Sequence, residues 1–204
     1  MKTKYLKEYF FFPDILIMMV LLFASFIGMM LHANHLGVWL AFGLGMIAYT
    51  FIEYMTHRFL FHMKTPKHPI LLQLIKRLHY DHHSSPNDLK LLFLPVWYSL
   101  PNILVAGAIC YTLTRSWMIT NAFLAGVILF LLFYEWKHYI AHRPVKPVTR
   151  FGIWMKKVHL LHHFKNENYW FGVTNMMYDK AFGTYKEEKE AEKSETARQL
   201  EQRK

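Results

Sequence analysis

Cysteine is almost missing from these 204 residues: Cys110 stands alone, inside an apolar run. A lone thiol cannot close an intrachain disulfide, and it excludes the cysteine-ligated zinc and iron–sulfur sites that need several thiolates. Acid is scarce too, with 14 Asp and Glu against 24 Lys and Arg and a formal charge of +10. The HExxH arrangement of zinc proteases does not occur. The N-terminus lacks the short apolar core and small-residue cleavage pattern of a removable signal peptide. A basic balance by itself fits nucleic-acid binding, but 53% of the residues are hydrophobic, and they are gathered into runs too long for a small soluble domain. That contrast points to a membrane protein.

Charge is absent from 15–31, 36–52, 91–114 and 116–134. Apolar flanks extend these runs toward the roughly 20 residues a membrane span needs. The sequence thus predicts spans near 15–31, 36–55, 91–114 and 116–136, paired into two tight hairpins by HANH at 32–35 and by Arg115. Pro95 and Pro101 are expected to bend the third span or delay its start. With a cytoplasmic N-terminus, 23 of the 24 basic residues fall on the inner side and only Arg115 on the other; this asymmetry sets both termini inside. Residues 1–14 then form a cytoplasmic N-terminus and 15–185 a single membrane-embedded domain. The tail at 186–204 mixes charges without apolar periodicity, and is expected to be a solvated helix or a frayed end.

What the chain does have is histidine. Ten of its thirteen histidines stand in four boxes: HRFLFH (57–62), HYDHH (79–83), HYIAH (138–142) and HLLHH (159–163). At helical spacing His138 shares a face with His142, as do His79, His82 and His83, and His159, His162 and His163. His57 and His62 are five apart and do not share a face on a regular helix, so that box is expected to straddle a helix end. By the predicted topology all four boxes emerge on the inner side of the membrane. His32 and His35 fall on the other side and His68 in a KHP turn, where they read as loop histidines. Core histidines bonded to backbone groups would account for one such box, but not for four on one side. Ten neutral imidazoles converging there suit two ions of iron, zinc, copper or nickel; a haem would need only one or two axial histidines. Glu53 and Glu135, just before the first and third boxes, read as carboxylates that orient metal-bound rings, and Asp179 in YDKAFGT as a third.

These boxes, their order and their flanks resemble the fatty acid hydroxylase/sterol desaturase superfamily. EYMTHRFLFHMK, HYDHHSSPNDLKLLFLP and HLLHHFKNENYWFGVTNMMYDKAFGT are most similar to its fatty acid 2-hydroxylase branch, over roughly residues 50–185. The resemblance implies an all-α integral membrane protein, four transmembrane helices carrying a cytoplasmic helical cap with a histidine-rich dimetal site. It implies a diiron, O2-dependent monooxygenase that hydroxylates C2 of a long acyl chain, free or in a sphingolipid, with zinc able to replace iron in a purified sample. The implied ligands are His57, His62, His79, His82, His83, His138, His142, His159, His162 and His163, undivided between the ions. Tyr169, Trp170, Phe171 and Tyr178 follow the last box and would line the acyl path, unless they serve as interfacial anchors. Relatives in animals and fungi often carry an N-terminal haem domain. With only about 14 residues ahead of the first span, the expectation is a separate electron-donor protein and a bacterial cytoplasmic membrane, or the endoplasmic reticulum in a eukaryote. Superfamily siblings that desaturate or that oxidise sterols or carotenoids are the nearest alternative, and a non-catalytic metal-binding or transport protein a more distant one. Nucleic acid is not an expected partner.

Overall fold

The computed structural model describes residues 3–203; Met1, Lys2 and Lys204, at the ends of the N-terminal segment and the charged tail, lie outside the described residues. Every regular element among the described residues is helical. The chain divides into two compact units, one of Lys2–Thr50 and Leu94–Glu135, the other of Phe51–Phe93 and Trp136–Lys204.

The first unit is built on the long apolar runs. Helix α1 (Thr3–Phe10) leads into α2 (Pro13–Met30), whose proline occupies the first helical turn, where its missing N–H costs nothing. Helix α3 (Leu36–Met55) follows. After three short helices, α4 (Pro69–Ile75), α5 (Asp81–Ser84) and α6 (Leu89–Leu92), come α7 (Val96–Thr114) and α8 (Trp117–His142). Pro95 caps α7, so the third span starts late, and Pro101 is accommodated inside it. Arg115 closes α7 in the left-handed conformation (φ 52°), its amide bonded to Tyr111 O at 2.8 Å. The α3 and α8 backbones meet at two glycines: a Cβ at Gly45 would fall 2.1 Å from Phe123 O, and one at Gly126 would fall 2.1 Å from Phe42 O. Polar ties complete the unit, Asn121 Nδ2 to Ser25 O at 2.8 Å, Tyr9 Oη to Leu132 O at 2.8 Å, and the Val96 amide to Asp14 Oδ1 at 2.8 Å. Large apolar side chains cover the outside as well, Phe23, Leu40, Leu104 and Leu113 among them. Water would penalise such a surface and a bilayer favours it. Among the described residues, four helices are long and apolar enough to cross a membrane, with mean hydropathy from 1.6 to 2.1. This is a multi-pass membrane protein.

The second unit carries the histidine boxes. It includes α9 (Arg150–Phe164) and α10 (Met177–Ala181). Thr149 caps α9, accepting from the Gly152 amide at 3.0 Å. Two stretches wind as π-helix, Thr56–Phe61 directly after α3 and Lys76–Tyr80 directly after α4. The tail is not a free helix: beyond a short 3-10 turn at Leu200–Gln202 it runs irregularly, with Ala191, Ala197 and Leu200 buried.

Candidate metal centre

The π-helical turns place the first two boxes. In the first, the His62 amide bonds to His57 O at 3.1 Å, an i to i+5 closure. That wider winding brings residues five apart onto one side, and the two rings lie 5.0 Å apart. The helix ends at Phe61 with His62 as its cap, so the box straddles a helix end as expected, and the wider winding before that end makes the H-x4-H spacing a facing pair.

All ten box histidines are buried. They gather into two groups of five, His57, His62, His79, His83 and His162 in one, and His82, His138, His142, His159 and His163 in the other, with donor nitrogens within 4.8 Å of one another in each group. The HxxHH boxes trade members. His79 and His83 enter the first pocket while His82 enters the second; His159 and His163 enter the second while His162 enters the first. Consecutive helical residues diverge by about 100°, so adjacent histidines must serve different points. The stacked rings of His83 and His163, 4.0 Å apart, join the pockets.

The nitrogens lie at coordination distances from one another. His79 Nε2 is 3.2 Å from His57 Nε2, 2.8 Å from His62 Nε2 and 3.0 Å from His83 Nε2, and His162 Nε2 is 3.0 Å from His62 Nε2. In the second pocket His138 Nε2 is 2.9 Å from His82 Nε2, and His142 Nε2 is 2.9 Å from His159 Nε2. Two imidazole nitrogens held at right angles to one ion, each about 2.1 Å from it, would be about 3 Å apart.

Proton counting excludes ordinary hydrogen bonds as the explanation. His57 Nδ1 faces Phe171 O, His83 Nδ1 faces Ala197 O at 2.7 Å, and His162 Nδ1 faces Tyr169 O at 2.7 Å. A carbonyl only accepts, so each Nδ1 carries the proton and each Nε2 of a neutral ring is bare. His79 Nε2 holds at most one proton and cannot donate it to three neighbours. The remaining contacts set lone pair against lone pair, and a shared cation relieves that repulsion. His163, fully buried, has no hydrogen-bond partner at either ring nitrogen among the described residues. Burial first, then the charge of neighbouring rings, holds His62, His79, His82, His159, His162 and His163 well below the ordinary imidazole value. Burial lowers His83 to about 3 against the opposing bond to Ala197. Neutral rings are the form that binds metal. The residues present therefore fit two ions side by side.

The three carboxylates singled out from sequence meet backbone amides instead of ring N–H groups. Glu53 accepts from the Val173 amide (2.7 Å), the Thr174 amide (3.0 Å) and Thr174 Oγ1 (2.5 Å). Asp179 accepts from the Phe171 and Gly172 amides, both at 2.8 Å, and from Thr184 Oγ1. Four successive amides, 171 to 174, are thus claimed by two buried carboxylates, which fixes the loop whose Phe171 carbonyl faces His57. Gly172 is obligatory there, because a Cβ would fall 1.9 Å from Asn175 O. Glu135 accepts from the Leu94 amide at 3.0 Å. Of the aromatics, Phe171 sets its ring edge-on to His57, His62 and His162. Trp170 is buried in the left-handed conformation (φ 61°), with Nε1 donating to Lys186 O. Tyr178 packs on Tyr54 and Phe51. Sequence reading missed the carbonyls of Tyr169, Phe171 and Ala197, since any residue type carries one. It also missed Arg203, which donates to His62 O at 2.7 Å.

A multi-pass membrane protein with two adjoining all-histidine pockets belongs to the class of membrane metalloproteins with histidine boxes. Within it, residues 42–184 match the fatty acid hydroxylase family profile. The chain is 32% identical over 154 residues to the ceramide very long chain fatty acid hydroxylase scs7 of Schizosaccharomyces pombe, covering 70% of this chain and 41% of that protein. It is 36% identical over 149 residues to the dihydroceramide fatty acyl 2-hydroxylase FAH1 of Arabidopsis thaliana, covering 69% and 58%. The structure of full-length scs7p, in which only the hydroxylase domain is visible, superposes with a TM-score of 0.75 at 29% identity, covering 84% of this chain and 66% of that one. The chain spans about two fifths of the fungal relative's length. It belongs to the fatty acid hydroxylase family.

Proposed function

We propose that this chain is a membrane lipid oxygenase that places a hydroxyl on C2 of a long acyl chain, using O2 and two iron ions held by the two five-histidine pockets. The pair of adjoining pockets carries this reading, and the relatives named as 2-hydroxylases support the position and the acyl substrate, a free fatty acid or a sphingolipid-type chain. Each ion takes the five imidazoles of its own pocket. Two redox ions held there would supply the oxidising power that an unactivated C–H bond demands. An all-imidazole set also accepts zinc, so zinc in an overexpressed sample leaves the proposal standing.

The protein's share is to hold and to exclude. Carbonyls at 169, 171 and 197 fix three ring tautomers with Nε2 turned inward. Glu53 and Asp179 immobilise the 171–174 loop, and the Phe171 ring keeps water from one pocket while offering an apolar edge to the acyl path. The reaction breaks the C2–H bond and forms a C–O bond with one oxygen atom of O2. The other leaves as water, so two electrons and two protons must enter. A redox protein supplies the electrons, and the basic inner side is a surface on which an acidic one can dock. The Lys/Arg distribution puts the termini and the pockets on the cytoplasmic side.

The test is lipid mass spectrometry on cells expressing the chain or its His82→Ala variant, in a host supplied with iron and a compatible electron donor. New acyl chains hydroxylated at C2 by fragmentation, absent with the variant, are expected. An iron-loaded protein with a proven donor and no new product overturns the reading in favour of sterol or carotenoid oxidation or metal handling.

A further inference from the structure

The charged tail is the least promising part of the sequence for a packed structure, yet it is bonded across the metal centre. Leu200 packs on Ile75 and Tyr80. The Ser194 amide bonds to Lys165 O at 2.8 Å, Arg198 Nη2 to Ser84 O at 2.9 Å, and Thr65 Oγ1 to Glu201 O at 2.7 Å. Glu201 also pairs with Lys76 at 2.7 Å. Such a segment has little apolar area of its own, so specific polar contacts must offset the entropy of ordering it.

Those contacts are not spread evenly over the ten histidines. Ala197 O receives His83 Nδ1–H at 2.7 Å, and Arg203 Nη1 donates to His62 O at 2.7 Å. Both rings belong to the pocket of His57, His62, His79, His83 and His162. In the other pocket, His82 Nδ1, His159 Nδ1 and both ring nitrogens of His163 have no hydrogen-bond partner among the described residues, in the tail or elsewhere. Glu167 makes the dependence mutual. Its carboxylate is fully buried, and its partners are Thr196 Oγ1 at 2.5 Å and Arg203 Nε at 3.7 Å, both in the tail. Arg203 Nη2 reaches on to Asn168 Oδ1 at 2.8 Å, between Glu167 and the Tyr169 carbonyl that holds His162. Removing the tail would strand a buried carboxylate next to a ligand-bearing turn, an arrangement that is strongly destabilising.

We infer that residues 194–203 are a latch on one of the two metal pockets: they set how tightly the ion at His57, His62, His79, His83 and His162 is retained, and leave the neighbouring ion to other supports. Arg203 is a positioning residue, acting through the His62 carbonyl and Glu167. The inference rests on the two-metal reading and extends it to a difference between the metals.

Zinc is the probe, because it fills imidazole sites without redox chemistry. The full chain in detergent is loaded with zinc, its content measured, and release to an excess of chromophoric chelator followed in time. His79→Ala and His163→Ala identify which release phase belongs to which pocket. Arg203→Met and Thr196→Val are each expected to speed the His79-dependent phase, Arg203→Met by about 10–100-fold, and to leave the His163-dependent phase unchanged. Arg203→Lys, which can still donate to the His62 carbonyl, should recover part of the loss. Equal acceleration of both phases, or of neither, overturns the latch. An unsubstituted chain that holds fewer than two zinc ions overturns the two-metal reading itself, and the latch with it.

Discussion

The two pockets have the same number of rings and opposite means of holding them. In the pocket of His57, His62, His79, His83 and His162, three rings donate Nδ1–H to backbone carbonyls, at Phe171, Ala197 and Tyr169. In the other, His138 Nε2 faces His82 Nε2 and His142 Nε2 faces His159 Nε2, each at 2.9 Å. His82, His159 and His163 have no hydrogen-bond partner at Nδ1 among the described residues. The first set is oriented by hydrogen bonds and the second mainly by packing and by helix geometry. Equal ligand counts do not imply equal preorganisation. Outer contacts decide how a site resists loss of its ion, so the pockets should separate in experiments that strip or perturb metal.

Removing a ligand should have the largest effect. His79 Nε2 lies within 3.2 Å of three other donor nitrogens, so His79→Ala opens the centre of its pocket. Zinc content should fall from two ions to about one, with loss of hydroxylase activity. His163→Ala should do the same on the other side. Full loss of both ions in either variant, measured on folded protein, would show that the pockets do not bind independently and would erase the comparison.

Acid tests what the pockets share. Burial keeps rings of both sets well below the usual value of 6.5, His79, His162 and His163 among them, and takes His83 to about 3. Unfolded, the same rings titrate near 6.5, so below that pH the unfolded chain binds more protons than the fold does. Stability of the metal-free protein is therefore complete above 6.5 and declines as pH falls from there toward the folded values. Each ring still neutral in the fold contributes a slope of about 1.4 kcal/mol per pH unit. Thermal unfolding of stripped protein at pH 7.5 and at 5.5 measures it. A Tm that does not drop at 5.5 would show that the rings take up protons alike in the folded and unfolded chain, and burial would no longer be what the pockets share.

A smaller change separates the pockets again. Glu53→Gln keeps the size of a side chain that accepts three hydrogen bonds from residues 173 and 174 but removes its charge. The glutamine oxygen can still accept from both backbone amides and its NH2 can donate to the Thr174 hydroxyl, so the loss is the charge-assisted part of these bonds, about 1 kcal/mol. The loop carrying the Phe171 carbonyl loosens, and zinc affinity in the His57 pocket should fall by less than about 10-fold while the other pocket holds. Equal weakening of both, in the chelator assay, would mean that Glu53 supports the whole unit and not one ring.

How much of this was legible beforehand follows from what side-chain identity can encode. The four long apolar helices and the ten histidines that gather into two groups were readable, because apolar run length and imidazole spacing are properties of residue type. The partition of ligands was not, although the rule is simple in retrospect: in an HxxHH box the i and i+4 rings share a pocket and the i+3 ring leaves for its neighbour. Nothing in HRFLFH announced a π-helical turn, since no residue there compels the wider winding; only the metal-facing geometry makes it useful. Glu53 and Asp179 were noticed for being ionisable near the boxes, but their partners are amides of residues 171 to 174, and an amide leaves no trace in the letter code. The tail was misjudged for the same reason. Its histidine contact is the carbonyl of an alanine, and its burial rests on Ala191, Ala197 and Leu200, too few and too irregular to show a period.

Lys156 offers the finest cut between the pockets. Its ammonium donates to Ile140 O at 2.9 Å, Arg143 O at 2.6 Å and Val145 O at 3.0 Å. It thereby ties the Ile140 carbonyl, in the last turn of α8 that also carries His142, to the carbonyls of Arg143 and Val145 just beyond the helix. Burial lowers its pKa from the ordinary lysine value, yet three carbonyls favour the charged form and it remains the donor. Lys156→Met keeps the aliphatic stem and removes all three bonds. The helix end should fray at a cost of about 1–2 kcal/mol, and His142, four residues after His138 on the same face, should lose part of its preorganisation. The expected result is the mirror of the tail variants: faster zinc release from the His163-dependent pocket, by less than about tenfold, with the His79-dependent phase unchanged. Should Lys156→Met and Arg203→Met speed the same phase, helix ends and tail would be supporting one coupled dimetal unit, and the different bonding of the two pockets would have no consequence for how they keep their ions.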